Sequence, residues 1–274
     1  MKRTLFLVTA AMLLFLGAGC SKTNDGQGRL TVNITDAPFP LSSIESASVT
    51  INKVELRKTG DGVSDGNPFY VIWEGSKVFN LIELRNGVVG KLAELEIPAG
   101  EYDLMRLYVE EASLKVKDGD EFSVKVPSGG QTGIKIFIEP VIHVEGGLTA
   151  ELLLDFDLEG SFVLQGNMNS PAGIKGFHFK PVIRAVNNSK AGRIEGTVTE
   201  KDAGPLKDAR VFLELEEDTL KAFTDESGHY AFIGIIPGMY PVSAVQTDYD
   251  SVIVEDVRVV AGNRTIQDFE LIKK

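Results

Sequence analysis

Two aspartates, Asp155 and Asp157, stand one residue apart in the run Leu152-Leu-Leu-Asp-Phe-Asp-Leu158. On a strand, residues two apart share a face and lie about 7 Å from each other. Leu152, Leu154, Phe156 and Leu158 then fill the opposite face. Neighbouring carboxylates repel unless something compensates them. A Ca²⁺ ion with oxygen ligands would do so. So would backbone N–H groups, or a base such as Lys180 or Arg184, or the glycine-rich loop Ser128–Gly133. Asp36, in Thr35-Asp-Ala-Pro38, is either a third ligand or a turn former. Trp73, the single tryptophan, lies near Phe69 and Tyr70 and the loop 59–68; it either stacks on a sugar ring or packs into the core. Asp36, Asp155, Asp157 and Trp73 are the candidate ligand or cation contacts; no cofactor is expected, structural pairing being the favoured reading of the aspartates and Ca²⁺ the metal left open.

Other chemistries find little support. His143, His178 and His229 are scattered and none pairs with another at metal-ligand spacing. Asp61-Gly-Val-Ser-Asp-Gly66 departs from a calcium loop, with Val63 and Ile72 where oxygen ligands belong, and reads as a hairpin loop. No G-x-S-x-G, H-E-x-x-H or phosphate loop occurs. No residue is assigned a catalytic role, although two carboxylates far apart in sequence could still form a glycosidase pair. The formal net charge of −11 leaves no basic footprint for nucleic acid.

These residues must be carried by strands. Leu30-Thr-Val-Asn-Ile34, Ala47–Leu56, Asp103–Val109 and Phe122–Val126 alternate apolar and polar residues, and Lys117-Asp-Gly-Asp120 marks a hairpin. Val88–Leu95 is the best window for a helical turn or two. The pattern implies an all-β protein of two β-sandwich domains, with a break in the polar stretch Asn187-Asn-Ser-Lys-Ala-Gly192. The expected division is 1–19 leader, 20–28 tether, 29–187 first domain, 188–192 linker and 193–274 second domain.

The leader begins Met1-Lys-Arg3 and continues with an apolar run of signal-peptide length, too short to span a bilayer. It ends in Ala18-Gly-Cys20, and Cys20 is the only cysteine. The ending resembles the bacterial lipobox, with Gly17 where a leucine is usual. That resemblance implies cleavage before Cys20 and lipid on its sulfur and amine. Two or three acyl chains would anchor the protein stably, since each buried CH₂ contributes about 0.8 kcal/mol. Ser21 after the cysteine fits sorting to the outer membrane. Loss of the leader, which carries Lys2 and Arg3 and no acid, would move the net charge to −13.

Residues 192–272 carry Gly196-Thr-Val198, Gly204-Pro-Leu206 with Ala209 and Val211, Thr224-Asp225 with Gly228, Tyr230 and Phe232, and Pro237-Gly-Met-Tyr240. This set resembles the carboxypeptidase regulatory-like domain, which implies a seven-stranded transthyretin-like sandwich. The pattern lacks one residue between Gly204 and Pro205. Asp225 should accept backbone N–H bonds in a tight turn that Gly228 permits, Tyr230 and Phe232 should enter the core, and Tyr240 should tie a sandwich corner through its hydroxyl. Pro98-Ala-Gly-Glu-Tyr102 echoes the Pro237–Tyr240 corner. Upstream, Thr35-Asp-Ala-Pro38, Leu81–Gly87, Ile97–Tyr102, Val126–Lys135, Leu154-Asp-Phe-Asp157 and Phe179–Arg184 resemble the DUF4382 family, common in secreted and lipid-anchored proteins, many from Bacteroidota. That family brings no established activity. Together these readings describe a lipid-anchored protein of the cell envelope that binds a glycan or an envelope protein. A carboxylate-dependent enzyme acting on glycans and a purely structural lipoprotein stand as rivals.

Overall fold

The structure is a computed structural model that describes residues 26–37, 44–60, 68–126, 131–166 and 173–274. Cys20 and its leader, the tether up to residue 25, the loop 61–66 and Ser128 fall outside the described residues.

The first domain is built from β1 (Gln27–Ala37), β2 (Ile44–Lys58), β3 (Phe69–Asn80), β4 (Gly90–Pro98), β5 (Gly100–Val116), β6 (Glu121–Val124), β7 (Ile134–Val144), β8 (Thr149–Asp157), β9 (Phe162–Gly166), β10 (Ile174–Phe179) and β11 (Ile183–Asn187). Its main sheet runs β3-β2-β5-β7-β11-β8-β1-β4, with β6 on β5, while β9 and β10 form a separate hairpin. Alternation explains the strands: Leu30, Val32 and Ile34 of β1 and Val49, Ile51, Val54 and Leu56 of β2 are all fully buried in one core. Register shifts around Asn52 keep that alternation pointed inward along a strand that must bend. The sheet wraps so far round its core that its two edges meet. The Phe79 ring of β3 lies against Gly90 of β4, where an added Cβ would come within 2.9 Å of it, and the Lys77 ammonium bonds the Lys91 carbonyl. These contacts partly cover the two edge strands, although no backbone ladder joins β3 to β4 among the described residues.

Val88–Leu95 is strand, not helix: β4 begins at Gly90, and the short helical turn falls earlier, at Leu81–Leu84. The reason is a bulge. Val32 pairs with Ala93 and Asn33 with Lys91, so Leu92 is the extra residue. Leu92 and Ala93 therefore both point inward, and a strand takes on helix-like spacing.

The second domain comprises β12 (Gly192–Glu200), β13 (Gly204–Pro205), β14 (Arg210–Glu214), β15 (Thr219–Phe223), β16 (His229–Ile235), β17 (Gly238–Val245), β18 (Val252–Val259), β19 (Arg264–Ile266) and β20 (Phe269–Leu271). One sheet is β13-β12-β16 with β19 and β20 on β12, and the other is β15-β14-β17-β18. With β19 and β20 taken as one interrupted strand and the two-residue β13 set aside, this is a seven-stranded sandwich. Its core holds Tyr230 and Phe232 in edge-to-face contact at 5.8 Å. Asp225 accepts bonds from the backbone of Ser227 (2.8 Å) and His229 (3.0 Å). Gly228 sits at φ +75°, with the Val198 carbonyl so close that a Cβ would come within 2.6 Å of it. The protein is all-β in both parts. The two corners match: the Tyr102 hydroxyl donates to the Pro98 carbonyl and the Tyr240 hydroxyl to that of Ile236, both at 2.8 Å and both four residues upstream.

Candidate functional site between the two domains

β8 is buried on both faces, because its second face meets the other domain. Leu152, Leu154 and Phe156 fill the first core, while Leu153 is equally buried outside it. Gly234 of β16, at φ +68°, packs so tightly on Leu153 that a Cβ there would come within 2.7 Å of it. Ala231 and Ile233 of the same strand lie near Gly87. The turn before that glycine completes the junction: the Asn86 amide donates to the Phe223 carbonyl at 3.2 Å and, at 3.5 Å, to that of His229. One side chain of the first domain thus bridges the two sheets of the second.

Asp155 and Asp157 face a cleft of about 450 Å³ formed at this junction. The first domain supplies Asp155, Asp157, Glu159, Val182 and Arg184, and the second supplies the segment Glu217-Asp-Thr-Leu-Lys221. β11 pairs antiparallel with β8 and sets Arg184 directly opposite Asp155. The guanidinium donates to the Asp155 carboxylate at 2.7 Å and to the Gly234 carbonyl at 3.2 Å, so it serves both domains. Asp157 follows the other compensating route. It caps the short helix α1 (Leu158–Ser161) by accepting the Gly160 N–H at 2.9 Å. Lys221 reaches back across the junction to Glu159 at 3.0 Å.

Burial pushes the Asp155 carboxyl above its ordinary range, Arg184 works against that shift, and Asp157 and Asp218 add to it. Asp36 is raised much further. Burial is the main cause, the charges of Asp155 and Asp157 add to it, and the Leu158 N–H and Arg85 oppose it. Its neighbour Thr35 points to the junction, where its hydroxyl reaches the Leu84 and Val88 carbonyls at 2.9 and 3.0 Å.

The structure thus gathers Asp36, Asp155 and Asp157 and adds Glu159, Glu217, Asp218 and Lys221, which the sequence did not single out. Trp73 does not join them. It is partly buried against the first core, its ring close over Gly75, and the exposed aromatic beside it is Tyr70. Among the described residues, no three acidic, histidine or cysteine side chains converge as a metal-binding group.

The family model described as a domain of unknown function, DUF4382, matches residues 27–181. The chain belongs to the DUF4382 family. In this DUF4382 protein the carboxypeptidase regulatory-like domain follows, matched over residues 193–272. No curated protein matches the chain. Among solved structures, the chain is similar to a candidate carbohydrate-binding protein from Bacteroides uniformis, at 14% identity over 30% of this chain and 41% of that one, with a TM-score of 0.26. It is similar to a type II cohesin–X-dockerin complex from Acetivibrio cellulolyticus, at 17% identity over 30% of this chain and 58% of that one, TM-score 0.26. It is also similar to GBS52, the minor pilin of Streptococcus agalactiae, at 12% identity over 89% of this chain and 96% of that one, TM-score 0.26. The chain spans less than two thirds of the first two of these.

Proposed function

We propose that this DUF4382 protein is a lipid-anchored protein of the cell envelope, held in the outer membrane through Cys20, that binds a glycan or a protein ligand without transforming it. The observation that supports ligand binding is the cleft at the domain junction. It is of the size of small-molecule sites and is lined by both domains. Its two bases are already engaged, Arg184 by Asp155 and Lys221 by Glu159. Its carboxylates therefore serve as acceptors for hydroxyl or amine donors of a ligand. A glycan array probed with the protein from residue 20 onward tests this. Binding should appear and should be lost in the Glu217→Ala/Asp218→Ala variant. Silence on every glycan would remove sugars and leave a protein ligand.

The glycan-acting enzyme draws on the same cleft, where Asp155 and Asp157 of one domain share a wall-to-wall site with Glu217 and Asp218 of the other. A glycosidase needs such a carboxylate pair. The binding reading is favoured because Asp155 is held by Arg184 and Asp157 by the backbone of α1, so both act as fixed structural acids. Incubation with the glycans bound on the array separates the two: shortened products would establish the enzyme.

A further inference from the structure

β15 lies at the edge of its sheet and pairs only with β14. Successive residues of an antiparallel strand turn their backbone groups toward the partner strand and away from it in alternation. Asp218 and Thr224, at the two ends of β15, turn toward β14. The Asp218 carbonyl accepts the Leu215 N–H at 2.8 Å, and the Thr224 N–H donates to the Ala209 carbonyl at 2.9 Å. Thr219, Lys221 and Phe223 therefore turn their backbone groups away from β14. The first domain takes one of these groups, since Asn86 donates to the Phe223 carbonyl. The Thr219 N–H is taken by the Asp218 side chain at 2.7 Å. Among the described residues, the Lys221 N–H and carbonyl and the Thr219 carbonyl have no protein partner. Both residues line the junction cleft.

An open strand edge is a template for an extended peptide, which completes it with main-chain hydrogen bonds. Charge says which peptide. Arg184 and Lys221 are engaged by Asp155 and Glu159, which leaves Asp157, Glu217 and Asp218 lining the cleft with no base on them among the described residues. Asp36 adds an independent sign of a missing partner. It is only 5% exposed, neither carboxylate oxygen has a hydrogen-bond partner, and it lines a small cavity that shares Leu220 and Lys221 with the cleft. Buried polar groups are ordinarily paired. We propose that the cleft takes an extended peptide segment rich in lysine or arginine, which adds to β15 as a short strand at Thr219 and Lys221 and sets its cations against Asp157, Glu217 and Asp218. The inference rests on the reading of this cleft as a ligand site and narrows the ligand to a protein. A sugar lacks the repeating N–H and C=O groups that match a strand edge. The ladder is short, since Thr219 to Lys221 spans about 7 Å, so few backbone bonds form and binding is weak and reversible.

NMR titration of the isotope-labelled protein from residue 20 onward with the peptide Val-Lys-Val-Lys-Val-Lys tests it. Saturable binding is expected, with a dissociation constant of about 0.1–1 mM and shifts centred on the Thr219 and Lys221 amides. The Val-Glu-Val-Glu-Val-Glu counterpart should bind at least about tenfold more weakly. So should the lysine peptide with every backbone amide N-methylated, which keeps the charges and removes the donors. Lys221→Pro removes an N–H that no ladder bond uses, a change that edge strands tolerate. It should weaken binding about tenfold relative to Lys221→Ala, which loses the same side chain and keeps the N–H. Absence of binding by the lysine peptide overturns the proposal. So does equal binding of the N-methylated peptide, a test that holds even if Lys221→Pro fails to fold, or a folded Lys221→Pro variant that binds as tightly as Lys221→Ala. If the peptide is silent while glycans bind and are lost in Glu217→Ala/Asp218→Ala, the cleft stands as a ligand site and this proposal alone fails. Silence of both removes the ligand reading with it.

Discussion

Arg184 donates to the Asp155 carboxylate at 2.7 Å, and its other terminal nitrogen donates to the Gly234 carbonyl of the second domain at 3.2 Å. A single guanidinium therefore neutralises the buried acid of the cleft and fastens the two domains. Arg184→Ala should leave Asp155 buried and uncompensated, at a cost of about 3 kcal/mol. Urea denaturation followed by tryptophan fluorescence would measure it. Arg184→Met with Asp155→Leu should recover most of the loss, because replacing both partners leaves no stranded charge. A double variant no more stable than Arg184→Ala would mean that the bond to Gly234, not the ion pair, dominates.

Asp36 gives a pH dependence of definite sign. Its carboxyl titrates well above the ordinary range in the folded protein, mainly through burial. The folded state therefore holds this proton after the unfolded chain has released it, and stability falls as pH rises from the ordinary carboxylate value to the raised one. Above that window the penalty is constant. Asp36→Asn should be more stable than the unaltered protein at neutral pH, and the gap should vanish near pH 4, about the unfolded pKa. Denaturation at stepped pH values checks this; a gap that does not change with pH would show that Asp36 is not the titrating group.

The two tyrosine corners should differ in strength. Tyr102 is 2% exposed, and Tyr240 is partly exposed, yet each bonds the carbonyl four residues before it. Losing a hydrogen bond to a buried carbonyl costs about 1 kcal/mol, more where water cannot replace the donor. Tyr102→Phe should therefore lower the melting temperature more than Tyr240→Phe, by scanning calorimetry. Equal shifts would mean that water reaches both corners alike.

The second domain was legible in its sequence because its signals are local. Asp225 and Tyr240 each act within four residues of themselves, so their spacing already contains their partners. Val88–Leu95 misled for a physical reason: the bulge at Leu92 imitates a helical period. The cleft was only half legible. Asp155, Asp157 and Arg184 stand out by type, but Glu217, Asp218 and Lys221 enter through domain docking, which no local pattern encodes. One sign of docking was present in the run Leu152-Leu-Leu154. Apolar residues on both faces of a strand mean that both faces are covered, and Leu153 is where the second domain sits.

The anchor is the remaining prediction, and it rests on the chemistry of Ala18-Gly-Cys20. Lipid on the Cys20 sulfur needs the thiol, whereas the rest of the chain folds without it, since no other cysteine exists to pair with. Cys20→Ala should therefore leave thermal stability unchanged while abolishing the lipid adduct seen by mass spectrometry. Fractionation should then find the variant outside the membrane pellet. One acyl chain alone binds marginally and reversibly, so a protein with two or three chains should stay in the pellet through high-salt and carbonate washes. Release of the unaltered protein by salt alone would mean that it adheres through charge, which a net of −13 for the chain from Cys20 makes unfavourable on anionic lipid. A Cys20→Ala protein that still sediments with membranes and still carries lipid would refute the assignment of this cysteine.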